Sequence, residues 1–296
     1  MKEIKAKTIL QKVRANPFMW FAQDYNMNLY KGCVHGCIYC DSRSDCYKIE
    51  EFDEIKIKEN ALFILENELA KKKRKGIVGM GAMSDPYNPL EQSLELTRKA
   101  LSLFKKYEFG VSIATKSNLI ERDIDLLTEI NKNQSVIVQI TITTASDELS
   151  KIIEPHVCFS SKRFETLEKL AYANIFAGIL MMPILPFIND TEENVRQLVL
   201  LAHLHQAKFI YPMFGVTLRQ NQREYFYERL DELFPEKKKM YQTQFHDQYV
   251  CLSPSANHLK KVFKEECKKY NILYKMKDIN EAFIKKPKIE QLTLDI

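Results

Sequence analysis

Glycine and proline are scarce, 8 and 10 among 296 residues. That scarcity excludes collagen-like and low-complexity chains, and a composition 45% hydrophobic and 11% aromatic excludes a disordered one. A long apolar run is also missing. The longest, near residues 175–188, is broken by Gly178, Pro183 and Pro186 and is too short to cross a bilayer, so no membrane association is expected. Met1-Lys2-Glu3-Ile4-Lys5 leads into no apolar stretch of the kind a secretory signal needs, which makes the cytoplasm the expected compartment. The chain is expected to be globular, with length for one large or two ordinary domains.

Net charge is +5, and all of it lies after residue 235, where 13 Lys face 8 acids. Such a basic extension attracts nucleic acid by releasing counterions, although a solvated face is the plainer reading. The run Lys71-Lys72-Lys73-Arg74-Lys75 reads as the exposed end of a helix ahead of a buried strand.

Short apolar runs alternate with amphipathic stretches from Met27 to Met213. Strands are expected at 27–30, 76–80, 109–115, 135–141, 176–182 and 208–213, each followed by a helical pattern. Leu62, Leu65 and Leu69 share one helix face, and Leu94, Thr97, Leu101 and Phe104 share another within 93–107. Strand-helix alternation implies an α/β fold with parallel strands and right-handed crossovers, and six units suggest an incomplete barrel. Functional groups in a parallel barrel collect at the C-terminal ends of the strands. Residues 1–235 are therefore expected to form the barrel core. Residues 236–296 form a basic extension with a helix near 255–270, where Ser255 can cap and Leu259, Val262, Phe263 and Cys267 share a face.

Seven cysteines in a reducing compartment point to metal or redox chemistry rather than disulfides. Cys33, Cys37 and Cys40 fall in one loop, Asn28-Leu29-Tyr30-Lys31-Gly32-Cys33-Val34-His35-Gly36-Cys37-Ile38-Tyr39-Cys40, with Gly32 and Gly36 permitting tight turns. A structural zinc site needs four ligands, and there is no second cysteine pair; His35 would have to serve from a strained position between two of the thiols. Three thiolates on a four-iron cluster leave one iron open. Cys46, Cys158, Cys251 and Cys267 read as small hydrophobes, with Cys46 an alternative extra ligand.

The loop resembles the CxxxCxxC signature of radical S-adenosylmethionine enzymes, and more narrowly the spore photoproduct lyase-related branch. The resemblance continues through Ser84-Asp85-Pro86-Tyr87-Asn88-Pro89, Thr115-Lys116-Ser117, Arg122-Asp123-Ile124-Asp125-Leu126-Leu127, Glu154-Pro155 and Pro183-Ile184-Leu185-Pro186-Phe187-Ile188-Asn189-Asp190, covering about residues 25–235. It implies a partial (β/α)6 TIM-like barrel, a 4Fe-4S cluster on Cys33, Cys37 and Cys40, and S-adenosylmethionine bound at the open iron. Reductive cleavage of that cofactor would give a 5′-deoxyadenosyl radical that takes hydrogen from a substrate. It further implies a reductant such as flavodoxin or ferredoxin.

By the same resemblance Ser84 and Asp85 lie near the methionyl amine, although their segment is also a strong turn sequence. Lys116, a lone lysine ending an apolar strand, needs an anion, which the cofactor carboxylate would supply. Ser117 and Thr115 divide between cofactor contact and capping. Tyr39 occupies the position that packs the adenine. Glu154 and Arg163 pair near the cofactor or act as a structural ion pair. Thr141, Thr143 and Thr144 face the ribose or simply form strand. Asn189 and Asp190 read as a helix cap. Ala82 stands where spore photoproduct lyase carries a hydrogen-donating cysteine, which argues against thymine-dimer repair of that design. Asp41, Leu29 and His156 also depart from the pattern.

Gln291-Leu292-Thr293-Leu294-Asp295-Ile296 resembles the peptides with which bacterial replication and repair proteins enter the sliding-clamp groove. The expected function is radical S-adenosylmethionine chemistry on a substrate that the family analogy and the basic extension suggest is nucleic acid. The alternatives are the same chemistry on a peptide or small molecule, or a non-catalytic iron-sulfur or nucleic-acid-binding protein.

Overall fold

Three expected strands are apolar along almost their whole length, and each is buried on both faces. These are Gly110–Thr115, Val136–Thr141 and Phe176–Met181. Strands of that kind belong in a parallel sheet covered on both sides. The computed structural model, which describes residues 2–13 and 20–285, places them at the centre of such a sheet. Six strands run parallel: β1 (Tyr25–Met27), β2 (Ile77–Met80), β3 (Gly110–Thr115), β4 (Val136–Thr141), β5 (Phe176–Met181) and β6 (Ile210–Pro212). They lie in chain order, with Gln11–Lys12 antiparallel on the outer edge of β1. The sheet curls until its ends meet without pairing. Phe21, just before β1, lies 5.6 Å from Phe209 and 6.0 Å from Tyr211 at the β6 end. This is the incomplete six-stranded α/β barrel.

Helices cover the outside through the expected faces. In Ala61–Lys71, Leu65 and Leu69 are fully buried; in Leu96–Tyr107, Thr97, Leu101 and Phe104 are. The single helix expected over 93–107 is divided at Glu95, which takes a left-handed conformation after Glu91–Leu94. The division follows from a tertiary anchor: Thr97 donates its backbone N–H to the Glu91 carboxylate and its hydroxyl to the Pro86 carbonyl.

The first strand also differs. It ends at Met27, and Tyr30–Lys31 leaves the barrel to pair with Lys56–Lys58 in a small sheet with Lys2–Ile4. Met27, Leu29 and Tyr30 are all buried, so their apolarity could not show where one sheet gives way to the other.

Residues on both sides of position 235 share packing. Gly215–Thr217 pairs antiparallel with Val250–Leu252, and Leu218, Phe226 and Leu230 cluster with Tyr241 and Phe245. Ala256–Lys269 packs on Glu192–Leu204 through the expected apolar face, but Ser255 makes no side-chain cap. A further helix, Met276–Phe283, inserts Ile279 and Phe283 among Phe21, Ile77, Ile137 and Phe209 and closes the N-terminal end of the barrel. The clamp-like segment 291–296 lies outside the described residues. Among the described residues no helix is long and apolar enough to cross a membrane.

Candidate active site

The cysteine loop is held by backbone contacts that require glycine at two points. Gly32 has φ +87°, and a Cβ there would lie 2.6 Å from the Glu54 carbonyl oxygen and 2.8 Å from that of Phe52. The Phe52 carbonyl accepts the Cys33 N–H. Gly36 has φ +68° and packs under Pro155 and His156. The Ile38 N–H donates to the Ile153 carbonyl, and the His156 N–H to that of His35, clamping the loop to the 153–156 segment.

So held, Cys33, Cys37 and Cys40 line one wall of a cavity of about 400 Å³ at the C-terminal ends of the strands. All three are free thiols, two buried and one half-buried. Burial pushes Cys33 up to about 11 and Cys37 higher still, so forming three thiolates here requires a cationic partner. Among the described residues no three His, Cys, Asp or Glu side chains converge on a point where a single metal ion would sit. Three separated thiols around shared space fit a cluster better than one zinc ion.

Lys116 reaches the same cavity just past the end of β3, its Nζ 5.7 Å from the Tyr39 ring centroid. Burial works against its charge, but Cys37, Glu154, Cys40 and Asp85 outweigh burial and hold its pKa above the ordinary lysine value.

Ser84, Asp85, Tyr39 and Thr141 also line the cavity. Ser84 donates its hydroxyl to the Gly32 carbonyl at 2.6 Å, tying the β2 loop to the cysteine loop. Asp85 is heavily engaged by the protein itself. One oxygen accepts from the Thr115 hydroxyl (2.7 Å) and the Tyr87 N–H; the other accepts from the Lys116 N–H (2.8 Å) and lies 3.5 Å from His35 Nδ1.

Glu154, Arg163 and Ser117 stand apart from the cavity lining. Glu154 and Arg163 form a fully buried ion pair behind Tyr39, whose hydroxyl donates to Glu154. Arg163 also donates to the Cys158 and Thr141 carbonyls and to Ser150. Burial alone would raise the Glu154 pKa, but Arg163 and Lys116 hold it below the usual carboxylate range. The Ser117 hydroxyl accepts from the Leu119 N–H as a cap, and Thr115 accepts from the Ser117 N–H.

Thr143 and Thr144 are buried away from the cavity. The expected cap at Asn189 and Asp190 is corrected: Thr191 caps Glu192–Leu204 by accepting from the Asn194 N–H. Asn189 instead bridges the Leu185 N–H and the Thr143 carbonyl, while Asp190 accepts from Ser253. Cys46 lies outside the cavity beside Arg219, and Cys251 and Cys267 are buried hydrophobes. Asp41 and Ala82 both line the cavity. So do Trp20, Gln23 and Asn26, which belong to no motif and escape sequence reasoning. The one sequence signal of Gln23 and Asn26 is an amide side chain within or just before the first strand, and Trp20 has none beyond being the single tryptophan.

The sequence model of the Radical SAM superfamily matches residues 27–199, more than half of the chain. An uncharacterised protein of Methanocaldococcus jannaschii is 33% identical over 193 residues, 64% of this chain and 71% of the relative. An uncharacterised protein of Mycobacterium tuberculosis is 27% identical over 249 residues, 81% and 72%. Among solved structures, spore photoproduct lyase complexed with dinucleoside spore photoproduct aligns with TM-score 0.65 at 13% identity, covering 90% of this chain and 79% of its own. The methyltransferase TsrM of Kitasatospora setae, with cobalamin and a 4Fe-4S cluster bound, aligns at 0.56 and 12% identity, covering 81% and 52%. At such identities the structural likeness is one of fold.

Proposed function

Because the chain belongs to the radical SAM superfamily, we propose that Cys33, Cys37 and Cys40 hold its cluster and that the cavity beside them is where S-adenosylmethionine binds and a substrate gives up hydrogen. The enzyme's cofactors are those of the family, a 4Fe-4S cluster and S-adenosylmethionine. When bound, they supply reductive cleavage of the sulfonium to a 5′-deoxyadenosyl radical, with the electron coming from a low-potential donor such as flavodoxin or ferredoxin.

The observation that carries the reading is that three thiols, two buried and one half-buried, and a cationic lysine converge on one wall at the strand ends. Lys116 binds the cofactor's carboxylate. Ser84, still free to accept a hydrogen bond, and Asp85 face its amine. Tyr39 packs against the adenine with its ring fixed from behind by Glu154 and Arg163, which position it without touching the cofactor. Ser117 shapes the Lys116 turn. The barrel walls exclude water and stray hydrogen donors.

Nucleic acid is the substrate class favoured by the helix Ala256–Lys269, where Lys260, Lys261, Lys264 and Lys268 are exposed and make no ion pair among the described residues. The test is anaerobic reconstitution with iron and sulfide counted and 5′-deoxyadenosine measured after reduction. The expected result is four irons and product formation, both lost in Cys37→Ala. An intact cluster without product would replace the enzyme by a binding protein.

A further inference from the structure

The inward-facing residues of the barrel form levels set by strand register. Asn26, Gly79, Ser112 and Ile137 are register partners at one level, and Ala114, Gln139 and Gly178 at the next. Both lie deeper than Lys116 and Thr141, towards the plugged end. The charged side chains lining the cavity, Asp41, Asp85 and Lys116, belong to its cysteine side. Among the described residues the polar groups of these two levels, Asn26, Ser112 and Gln139, are uncharged, and together they make up the deeper floor.

That deeper level is incompletely satisfied. Gln23 and Gln139 both donate an amide N–H to Ser112 Oγ, each at 3.0 Å. Gln139 is only 1% exposed, and its Oε1 has no partner among the described residues. Turning the amide over would merely change which end is left unpaired. Asn26 lines the cavity, and its Oδ1 is likewise buried without a partner among the described residues. Buried amides left unpaired are unfavourable unless something else completes them. Glycine keeps the level open: a Cβ on Gly79 would lie 2.3 Å from Gln23 Cδ.

We propose that this amide floor recognises the substrate, with Asn26 bonding, and Gln23 and Gln139 orienting, an uncharged, flat group that carries N–H donors and enters past Trp20. The proposal rests on the radical SAM reading, which needs a hydrogen-bearing group held against the charged half of the cavity. Among the described residues a phosphate or carboxylate would find no cation on the floor, and desolvation disfavours it. Met80, Met182 and Met213 give the remaining wall an adaptable apolar surface. Trp20 lines the opening at 41% exposure, braced edge-on by Phe21 at 5.0 Å and Tyr211 at 5.5 Å.

Trp20 is the sole tryptophan of the chain, so its fluorescence reports occupancy of this cavity. The full-length reconstituted enzyme with S-adenosylmethionine is titrated with uracil, benzamide, orotate and benzoate, affinities being taken by equilibrium dialysis and location by Trp20 quenching. Uracil or benzamide is expected to bind and quench while its carboxylated counterpart does not. A preference for uracil identifies a heterocyclic source for the group, and a preference for benzamide a carboxamide source.

Asn26→Leu is expected to weaken binding by about tenfold or more, because a site built around a hydrogen bond discriminates strongly once it is lost. Gln139→Leu should weaken it too while melting at or above the wild-type temperature, since it removes an unpaired buried amide. Equal binding of the carboxylates, no binding of either neutral probe, unchanged affinity in both variants, or a large loss of thermal stability in both would overturn the proposal. Wild-type protein that makes 5′-deoxyadenosine yet ignores the probes refutes the floor alone. Protein that makes none refutes the cofactor reading beneath it.

Discussion

The two ends of the barrel are built on opposite terms. At the N-terminal end, Phe21, Ile77, Ile137, Phe209, Ile279 and Phe283 close the barrel with apolar side chains. At the C-terminal end, glycines hold strained turns, a lysine is half-buried, and three thiols sit where burial opposes their ionisation. Burial of apolar surface at one end stabilises a fold that tolerates unfavourable groups at the other. Stability and cofactor binding should therefore separate under mutation, and the residues that tie them together should be few.

Arg163 is the residue most able to break this separation, because it is fully buried yet belongs to the cofactor end, paired with Glu154 behind Tyr39. It is fully buried with Glu154 and donates to Thr141, Cys158 and Ser150. Arg163→Met leaves a buried carboxylate uncompensated and should cost about 3–5 kcal/mol. The expected outcome is a large drop in the denaturation midpoint together with weaker cofactor binding, since Tyr39 loses the support of Glu154. An equally stable variant would mean that Glu154 finds another partner.

Phe283→Ala tests the plug alone. Phe283 is 5% exposed and meets the Phe176 ring at 6.0 Å. Truncation should cost about 3–5 kcal/mol, at the lower end if neighbours collapse into the space. Once folded, the variant should bind S-adenosylmethionine as the wild type does. Altered affinity would show that the ends are coupled.

Lys116→Met makes the converse test. A charge-assisted hydrogen bond contributes about 1.5–3 kcal/mol, so affinity for S-adenosylmethionine should fall by about 10- to 100-fold. Stability should fall by less than in the Arg163 variant, because the groups that favour the charge only outweigh a burial cost that the substitution also removes. Isothermal titration of reconstituted protein, paired with chemical denaturation, reads both quantities.

The same contrast explains what the sequence reveals. The catalytic end is written in local patterns: the cysteine spacing, the glycines that directly precede two of the thiols and the lysine ending a buried strand can each be read from a few adjacent residues. Five of the six barrel strands are legible from apolar runs, because parallel strands buried on both faces have no alternation to obscure them. The plug is not legible. Ile279 and Phe283 look like any pair on an amphipathic helix, and their partners Ile77 and Ile137 lie far away in the chain. Nothing local says that the helix belongs beneath the barrel rather than on its flank. Glu154 and Arg163 are legible as a pair but not as a layer behind Tyr39, since depth from the cavity depends on three elements packing together. Asn26 and Gln139 become visible only when register places them inside.

The cysteine loop allows the finest cut. Gly36→Ala places a left-handed alanine at φ +68°, a conformation that costs roughly 1–2 kcal/mol outside glycine. Its new methyl would meet His156 Cδ2 and Pro155 Cγ, both at 2.9 Å, side-chain atoms with some freedom to move. Gly32→Ala meets two backbone carbonyl oxygens instead, at 2.6 and 2.8 Å, one of which accepts the Cys33 N–H. The local obstacle is therefore greater at Gly32 although both turns are left-handed. In anaerobically reconstituted protein, Gly36→Ala should retain most of its iron and lose it modestly faster on exposure to a chelator. Gly32→Ala should lose it sooner, while the apolar plug keeps the melting transition of both variants within a few degrees of wild type. The reverse order would mean that the 153–156 segment, rather than the 52–54 segment, is the firmer support of the thiols.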